Sequence, residues 1–256
     1  MRRALAFLTP VGRGDVPTPR TFDWFPLVGA LIGLAVGGVW WLADRLWVPI
    51  VGAAVTVLFD AVLTGGLHLD GLADTADGLL PPMDRERRLQ VLRDPAIGAF
   101  GGVALGSVLL LRFGAFATAP ARPLAVAGLW CGSRTAMAVM ARSLPYARSG
   151  GGLASAFVTS PAGGSDTDTD SVTPSGNPFH WGVGSVLAMA GGAVLAGVLA
   201  AVGRGPLGLV AVAAEAVAAA GVGWLAWRRI GGFTGDVLGA AGVIGETVGL
   251  LVMVAK

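Results

Sequence analysis

Charge is what this chain has least of. Only 13% of its 256 residues are charged, about half the share of an ordinary soluble domain, and those few cluster between long apolar runs. That scarcity excludes a soluble enzyme, a disordered chain and a nucleic-acid-binding domain. Lysine is nearly missing: of 18 basic residues, 17 are arginine and the other is Lys256. The net charge of +2 is too small to argue for an anionic macromolecular partner. One cysteine, Cys131, rules out an internal disulfide and any multi-cysteine metal site, and its apolar neighbours make it a packing residue. The stretch before Pro10 is too short for a cleavable signal peptide.

What fills the chain is apolar. Hydrophobic residues make up 54% and glycines number 41, and the mean hydropathy is +0.71. A bilayer-spanning helix needs about 20 mostly apolar residues, and seven segments qualify: 25–43, 47–67, 97–118, 122–141, 182–203, 206–227 and 236–255. The expected fold is therefore an all-α, polytopic membrane bundle of about seven transmembrane helices, one domain over residues 1–256. Trp24, Trp40, Trp41, Trp47, Trp181, Trp224 and Trp227 fall near span ends, where amphipathic rings prefer to sit.

Orientation follows from the arginines. With the N-terminus in the cytoplasm, twelve basic residues (Arg2, Arg3, Arg13, Arg20, Arg85, Arg87, Arg88, Arg93, Arg142, Arg148, Arg228, Arg229) lie inside and four (Arg45, Arg122, Arg204, Lys256) outside, a positive-inside bias. Two long loops, 68–96 and 142–181, then face the cytoplasm. The second holds the Asp166, Asp168, Asp170 tract and reads as a flexible, solvated linker.

The most informative stretch runs from Thr64 to Gly78, Thr-Gly-Gly-Leu-His-Leu-Asp-Gly-Leu-Ala-Asp-Thr-Ala-Asp-Gly. Asp70, Asp74 and Asp77 stand at i, i+4 and i+7, within an arc of roughly 60° on a helix. Three like charges on one face repel unless a cation neutralises them. Oxygen-only donors favour a hard ion, and Mg²⁺ in particular binds through one or two carboxylates plus substrate phosphates. A solvated turn after the second span is the plain alternative, and three acids on one face beside His68 weigh against it. His68 is placed to contact substrate, relay a proton or ligate the metal. Asp60, Glu215 and Glu246 are acids inside spans, which mark function or a helix-to-helix bond.

The basic partners come in three groups. Arg85, Glu86, Arg87 and Arg88 read as a solvated amphipathic face. Arg93, Asp94 and Gly98 precede the third span, with Pro95 suited to a helix start, and an arginine beside a helix N-terminus suits phosphate. Arg134 inside the fourth span must face the bundle interior and meet a carboxylate or a phosphate; Tyr146 and Arg148 follow that span, and Arg142 reads as an interfacial anchor. Asp236 opens the seventh span, where it or Thr234 caps the helix or joins the metal shell. In that orientation the aspartate motif, the Arg93 motif, the Arg148 motif and Asp236 all fall on the cytoplasmic side.

These residues resemble the cobalamin synthase family, the adenosylcobinamide-GDP ribazoletransferases. The likeness runs through Phe25-Pro-Leu-Val-Gly29, Gly65 to Gly78, Arg93-Asp94 with Gly98, Ser133-Arg134, Tyr146-Ala-Arg148 and Gly235-Asp236 with Gly239-Ala240. The family's further acid near position 243 is a valine here, leaving Glu246. The resemblance implies a cell-membrane, Mg²⁺-dependent phosphotransferase joining adenosylcobinamide-GDP to α-ribazole or its 5′-phosphate, with release of GMP. It implies Asp70, Asp74 and Asp77 as metal ligands and catalytic residues with His68. Arg93, Asp94, Gly98, Arg134, Tyr146, Arg148 and Asp236 are the implied substrate-binding residues. Membrane lipid is an expected partner, nucleic acid is not, and a homo-oligomer is compatible with the sequence. The alternatives are a CDP-alcohol-type or prenyl transferase, whose Ala-Arg pair and wider acid spacing are missing here, and an ion-coupled transporter, which predicts midplane sites and symmetric halves.

Overall fold

The computed structural model describes residues 1–10, 18–148 and 181–255. The acidic tract at Asp166–Asp170, Arg13 and Lys256 lie outside them. Helices α1 (Arg2–Leu8), α2 (Phe25–Leu46), α3 (Pro49–Leu63), α4 (Leu67–Leu79), α5 (Arg85–Val91), α6 (Ala99–Thr118), α7 (Pro123–Ser143), α8 (Val183–Arg204), α9 (Pro206–Ile230) and α10 (Gly235–Val254) follow in order. A 3-10 turn, Pro19–Trp24, leads into α2. Among the described residues the only β pairing is a single bridge between Tyr146 and Phe233.

Six helices are long and apolar enough to cross a membrane, and a seventh crossing is counted if α3 and α4 form one broken span. The chain is a multi-pass membrane protein of the expected class. α7 and α10 are mostly buried, whereas α6, α8 and α9 turn most of their apolar surface outward. α2 packs most extensively on α7, and α10 on α9 and α4. A glycine stripe explains the first contact. A Cβ at Gly33 would lie 2.8 Å from the Val126 carbonyl oxygen and one at Gly37 2.6 Å from Pro123 Cα. Small residues at this spacing let two backbones touch, the main source of helix association in lipid.

The second span departs from the expected 47–67. α3 stops at Leu63, and α4 leaves it at 87°. The cause is a pair of glycines, Gly65 (φ +62°) and Gly66 (φ +71°), in the left-handed region where a side chain is strained. Thr64 Oγ1 donates to the Asp60 carbonyl at 2.8 Å and Gly66 N to that of Ala61 at 2.8 Å, closing α3 before the turn. The sharp bend is what detaches the aspartate motif from the span.

Three further expectations are corrected. Trp40 is no interfacial anchor: it is 1% exposed and packs edge-on against Phe116. Pro95 does not start α6, which begins at Ala99 after Gly98; Asp94 instead accepts from the Ala96 amide at 3.0 Å in a tight turn. The Arg85–Arg88 stretch is not simply solvated. Arg88 is 3% exposed and donates to the carbonyls of Gly78 (2.9 Å) and Leu79 (2.8 Å) at the end of α4, a tertiary C-cap. Arg85 Nε donates to the Ile230 carbonyl at 2.9 Å. Cys131 packs as expected, buried with its thiol toward the Gly192 carbonyl.

Candidate active site

α4 has two unlike faces. His68, Gly71, Leu72, Thr75 and Leu79 are buried, while Asp70 is exposed and Asp74 and Asp77 are half-buried. The buried face crosses α10 closely, since a Cβ at Gly71 would lie 2.8 Å from the Asp236 carbonyl oxygen. This crossing sets the acid face beside the start of α10.

The three aspartates differ in their surroundings. Asp77 accepts from the Gly98 amide at 2.7 Å and the Gly101 amide at 3.0 Å, so both of its oxygens satisfy the N-terminus of α6. Among the described residues, Asp70 and Asp74 have no hydrogen-bond or ion-pair partner. Asp74 lies within electrostatic reach of Asp236, Asp70, Arg148 and Asp77. No three or more His, Cys, Asp or Glu side chains among the described residues converge closely enough to hold a metal ion. The trio is thus not a preformed cage. Two unpartnered carboxylates one turn apart nevertheless match the donor chemistry of a cation that completes its shell with water and phosphate oxygens.

Asp236 and Arg148 complete the mouth. The segments 145–148 and 232–236 run side by side, with Phe233 N donating to the Pro145 carbonyl and Ala147 N to the Phe233 carbonyl, both at 2.9 Å. Gly232 is required there because a Cβ would overlap the Pro145 carbonyl. Arg148 Nη2 donates to Asp236 Oδ2 at 2.6 Å and to the Leu92 carbonyl at 2.7 Å. Thr234, not Asp236, caps α10, accepting from the Val237 amide at 3.3 Å. The Tyr146 ring meets Phe233 edge-on with centroids 5.5 Å apart, and burial pushes its hydroxyl pKa above the ordinary phenol value, so it is a neutral wall.

Behind this mouth is a cavity of about 120 Å³ lined by His68, Tyr146, Arg148 and Asp236 with apolar side chains and glycines of α1, α4, α7 and α10. His68 is 4% exposed, and neither ring nitrogen has a hydrogen-bond partner among the described residues.

The structure therefore brings together His68, Asp70, Asp74, Asp77, Gly98, Tyr146, Arg148 and Asp236. Arg93 and Asp94 lie at the surface nearby, and the charge of Arg93 reaches Tyr146. Arg134 is not at the mouth. It is 1% exposed and donates to Glu246 and, at 2.7 Å, to Ser133 Oγ. Glu246 also accepts from Arg112 Nη2 at 2.6 Å, and Arg112 Nη1 donates to Asp60 at 2.7 Å. Trp130 Nε1 donates to the other oxygen of Asp60 at 3.1 Å. Arg134, Glu246 and Arg112 of this charge-balanced quartet lie within electrostatic reach of His68. Arg142 also turns inward, donating to Asp23 at 2.6 Å. Sequence reasoning missed the partners of Arg112, although a cation in the third span needs acids, and missed Gly101 and Arg88.

Gly101 offers a test of how α4 is held. A Cβ there would overlap the Asp77 carboxylate and lie 2.9 Å from the Ala73 carbonyl, whereas one at Gly102 meets nothing within 4 Å. Gly101→Ala is expected to destabilise the protein by about 1–3 kcal/mol and to lower activity, with Gly102→Ala close to wild type. Thermal unfolding of the two variants in detergent checks this; equal midpoints would contradict the contact.

The family model for cobalamin-5-phosphate synthase matches residues 1–254. An adenosylcobinamide-GDP ribazoletransferase of Chlorobaculum tepidum is 38% identical over 252 residues, covering 95% of this chain and 89% of that protein. One of Chlorobium phaeovibrioides is 34% identical over 258 residues, 95% and 91% of the two chains. One of Klebsiella pneumoniae is 36% identical over 241 residues, 91% and 87%. No solved structure matches the chain. The family match extends through the aspartate helix, the Tyr146–Arg148 segment and the start of α10 alike, and the chain belongs to the cobalamin-5-phosphate synthase family.

Proposed function

We propose that this protein transfers the cobinamide phosphoryl group of adenosylcobinamide-GDP to α-ribazole, or to its 5′-phosphate, giving adenosylcobalamin or its 5′-phosphate and GMP. The observation that carries this reading is the placement of two unpartnered aspartates, Asp70 and Asp74, beside the Arg148–Asp236 pair and the α6 N-terminus, in a chain similar over most of its length to proteins named for that transfer. A hydroxyl oxygen of the acceptor bonds to the cobinamide-side phosphorus. The bond from that phosphorus to the GMP oxygen breaks, and GMP leaves with the electron pair. The hydroxyl proton passes to the α4 carboxylates, and Arg148 neutralises phosphate oxygen.

Asp70 and Asp74 are the residues that would hold Mg²⁺; Asp77, whose oxygens accept from α6 amides, fixes the aspartate helix against α6. A bound Mg²⁺ supplies charge neutralisation on the diphosphate and the departing GMP. Arg134 acts from below through Glu246 rather than on substrate. The arginine distribution supports a site on the cytoplasmic face of the cell membrane, and the outward apolar faces of α8 and α9 suit lipid. Chelating divalent ions is expected to stop GMP release by detergent-purified protein, with Mg²⁺ restoring it. Turnover at the unchelated rate in the presence of chelator would contradict the metal role.

A further inference from the structure

We propose that the cavity beside α4 seats the heteroaromatic base of the acceptor nucleoside, with the His68 ring hydrogen-bonding a ring nitrogen of that base. The inference rests on the transferase reading above and assigns a subsite within it.

The cavity wall argues for a mostly apolar guest. Phe7, Leu67 and Met137 line it together with Tyr146, and its other side-chain polar groups among the described residues are His68, Arg148 and Asp236. At about 120 Å³ it far exceeds the roughly 10–15 Å³ that one water needs. Small-molecule sites have this composition, apolar walls with a few fixed polar groups.

His68 narrows the chemistry. It is 4% exposed with both ring nitrogens unpartnered, and a buried polar group in that condition is costly unless something satisfies it. No carboxylate among the described residues bonds the ring, so its nitrogens are left for a ligand. A ring N–H of His68 is a donor, which suits the lone pair of a heterocyclic nitrogen. Arg148, the cation of this wall, is already paired with Asp236, and the apolar remainder makes the cavity a poor seat for a phosphate. The phosphate-bearing half of the reaction is thereby left to the mouth, where Asp70 and Asp74 stand.

The two halves are joined at the right place. Asp236 lines the cavity and is also within electrostatic reach of Asp74 and Asp70. A nucleoside with its base in the cavity therefore directs its ribose past the Arg148–Asp236 pair toward the diphosphate. Gly239 keeps this wall close, since a Cβ there would lie 3.2 Å from His68 Cα.

The test is steady-state kinetics of GMP release with both substrates varied. For wild-type protein, free 5,6-dimethylbenzimidazole, the base of α-ribazole, is expected to inhibit competitively against the nucleoside and not against adenosylcobinamide-GDP. His68→Phe keeps a planar aromatic ring and removes the hydrogen bond. It is expected to raise KM for α-ribazole about tenfold or more, to leave KM for adenosylcobinamide-GDP in place, and to spare a phenyl riboside, whose ring has no nitrogen. Met137→Ala is expected to improve acceptors with bulkier bases relative to α-ribazole. If wild-type protein turns over but the free base does not compete with the nucleoside, the subsite assignment is overturned whatever the variants do. It is also overturned if the two KM values move together in folded His68→Phe. Absence of nucleoside-dependent turnover by wild-type protein overturns the transferase reading and this subsite with it.

Discussion

Asp74→Ala lowers GMP release by about 10³-fold or more while the protein inserts and purifies as wild type. Its carboxylate has no hydrogen-bond or ion-pair partner among the described residues, so no structural bond is lost with it. Two contributions to the reaction go instead: one of the two carboxylates available to a cation and the neighbouring acceptor for the hydroxyl proton. General-base catalysis alone accounts for about 10²–10⁴-fold. Asp77→Ala behaves differently. It strips the acceptor from the exposed Gly98 amide and from the buried Gly101 amide, at about 1–3 kcal/mol for the buried one left unsatisfied, so stability falls along with activity. Size-exclusion and thermal unfolding in detergent, run beside the GMP assay, separate the two. Asp74→Ala with wild-type turnover, or with a collapse in stability as large as that of Asp77→Ala, would contradict these roles.

Glu246→Gln is expected to cost about 3–5 kcal/mol of stability, the scale for removing one partner from a buried ion pair. Asp60, Arg112, Arg134 and Glu246 are all buried, and their charges cancel. Glu246 serves both arginines, so neutralising it strands a net positive charge among α3, α6, α7 and α10, where the surrounding lipid cannot solvate it. The double variant Arg134→Gln/Glu246→Gln leaves the Asp60–Arg112 pair neutral and intact. It is therefore expected to recover stability relative to Glu246→Gln, although it carries one more substitution. A double-mutant cycle read by unfolding midpoints measures the coupling. Simple additivity of the two single effects would show that the quartet is not a unit.

The aspartate face was legible in the sequence because helical periodicity alone puts positions 70, 74 and 77 together. The spans were legible because hydropathy reports them directly. The bend was not: Gly65 and Gly66 read as small residues ending a span, and only their positive φ values show that the chain turns there. The Arg148–Asp236 contact joins residues 88 positions apart through pairing of two short irregular segments, and no local period encodes it. Arg134 was rightly placed in the bundle interior with a carboxylate among its two expected partners. Which acid it meets depends on how α7 packs on α10, and that packing removes it from the mouth. Arg85 and Arg88 carry the composition of a solvated helix, and their bonds to backbone carbonyls follow from where α4 and α9 happen to end.

The measurement closest to the central claim is the acceptor dependence of GMP release by detergent-purified wild-type protein given adenosylcobinamide-GDP and Mg²⁺. The account predicts that GMP appears only when α-ribazole or its 5′-phosphate is also present, one GMP for each joined product. Release of GMP at the same rate without any acceptor nucleoside would make the protein a diphosphate hydrolase and contradict the account.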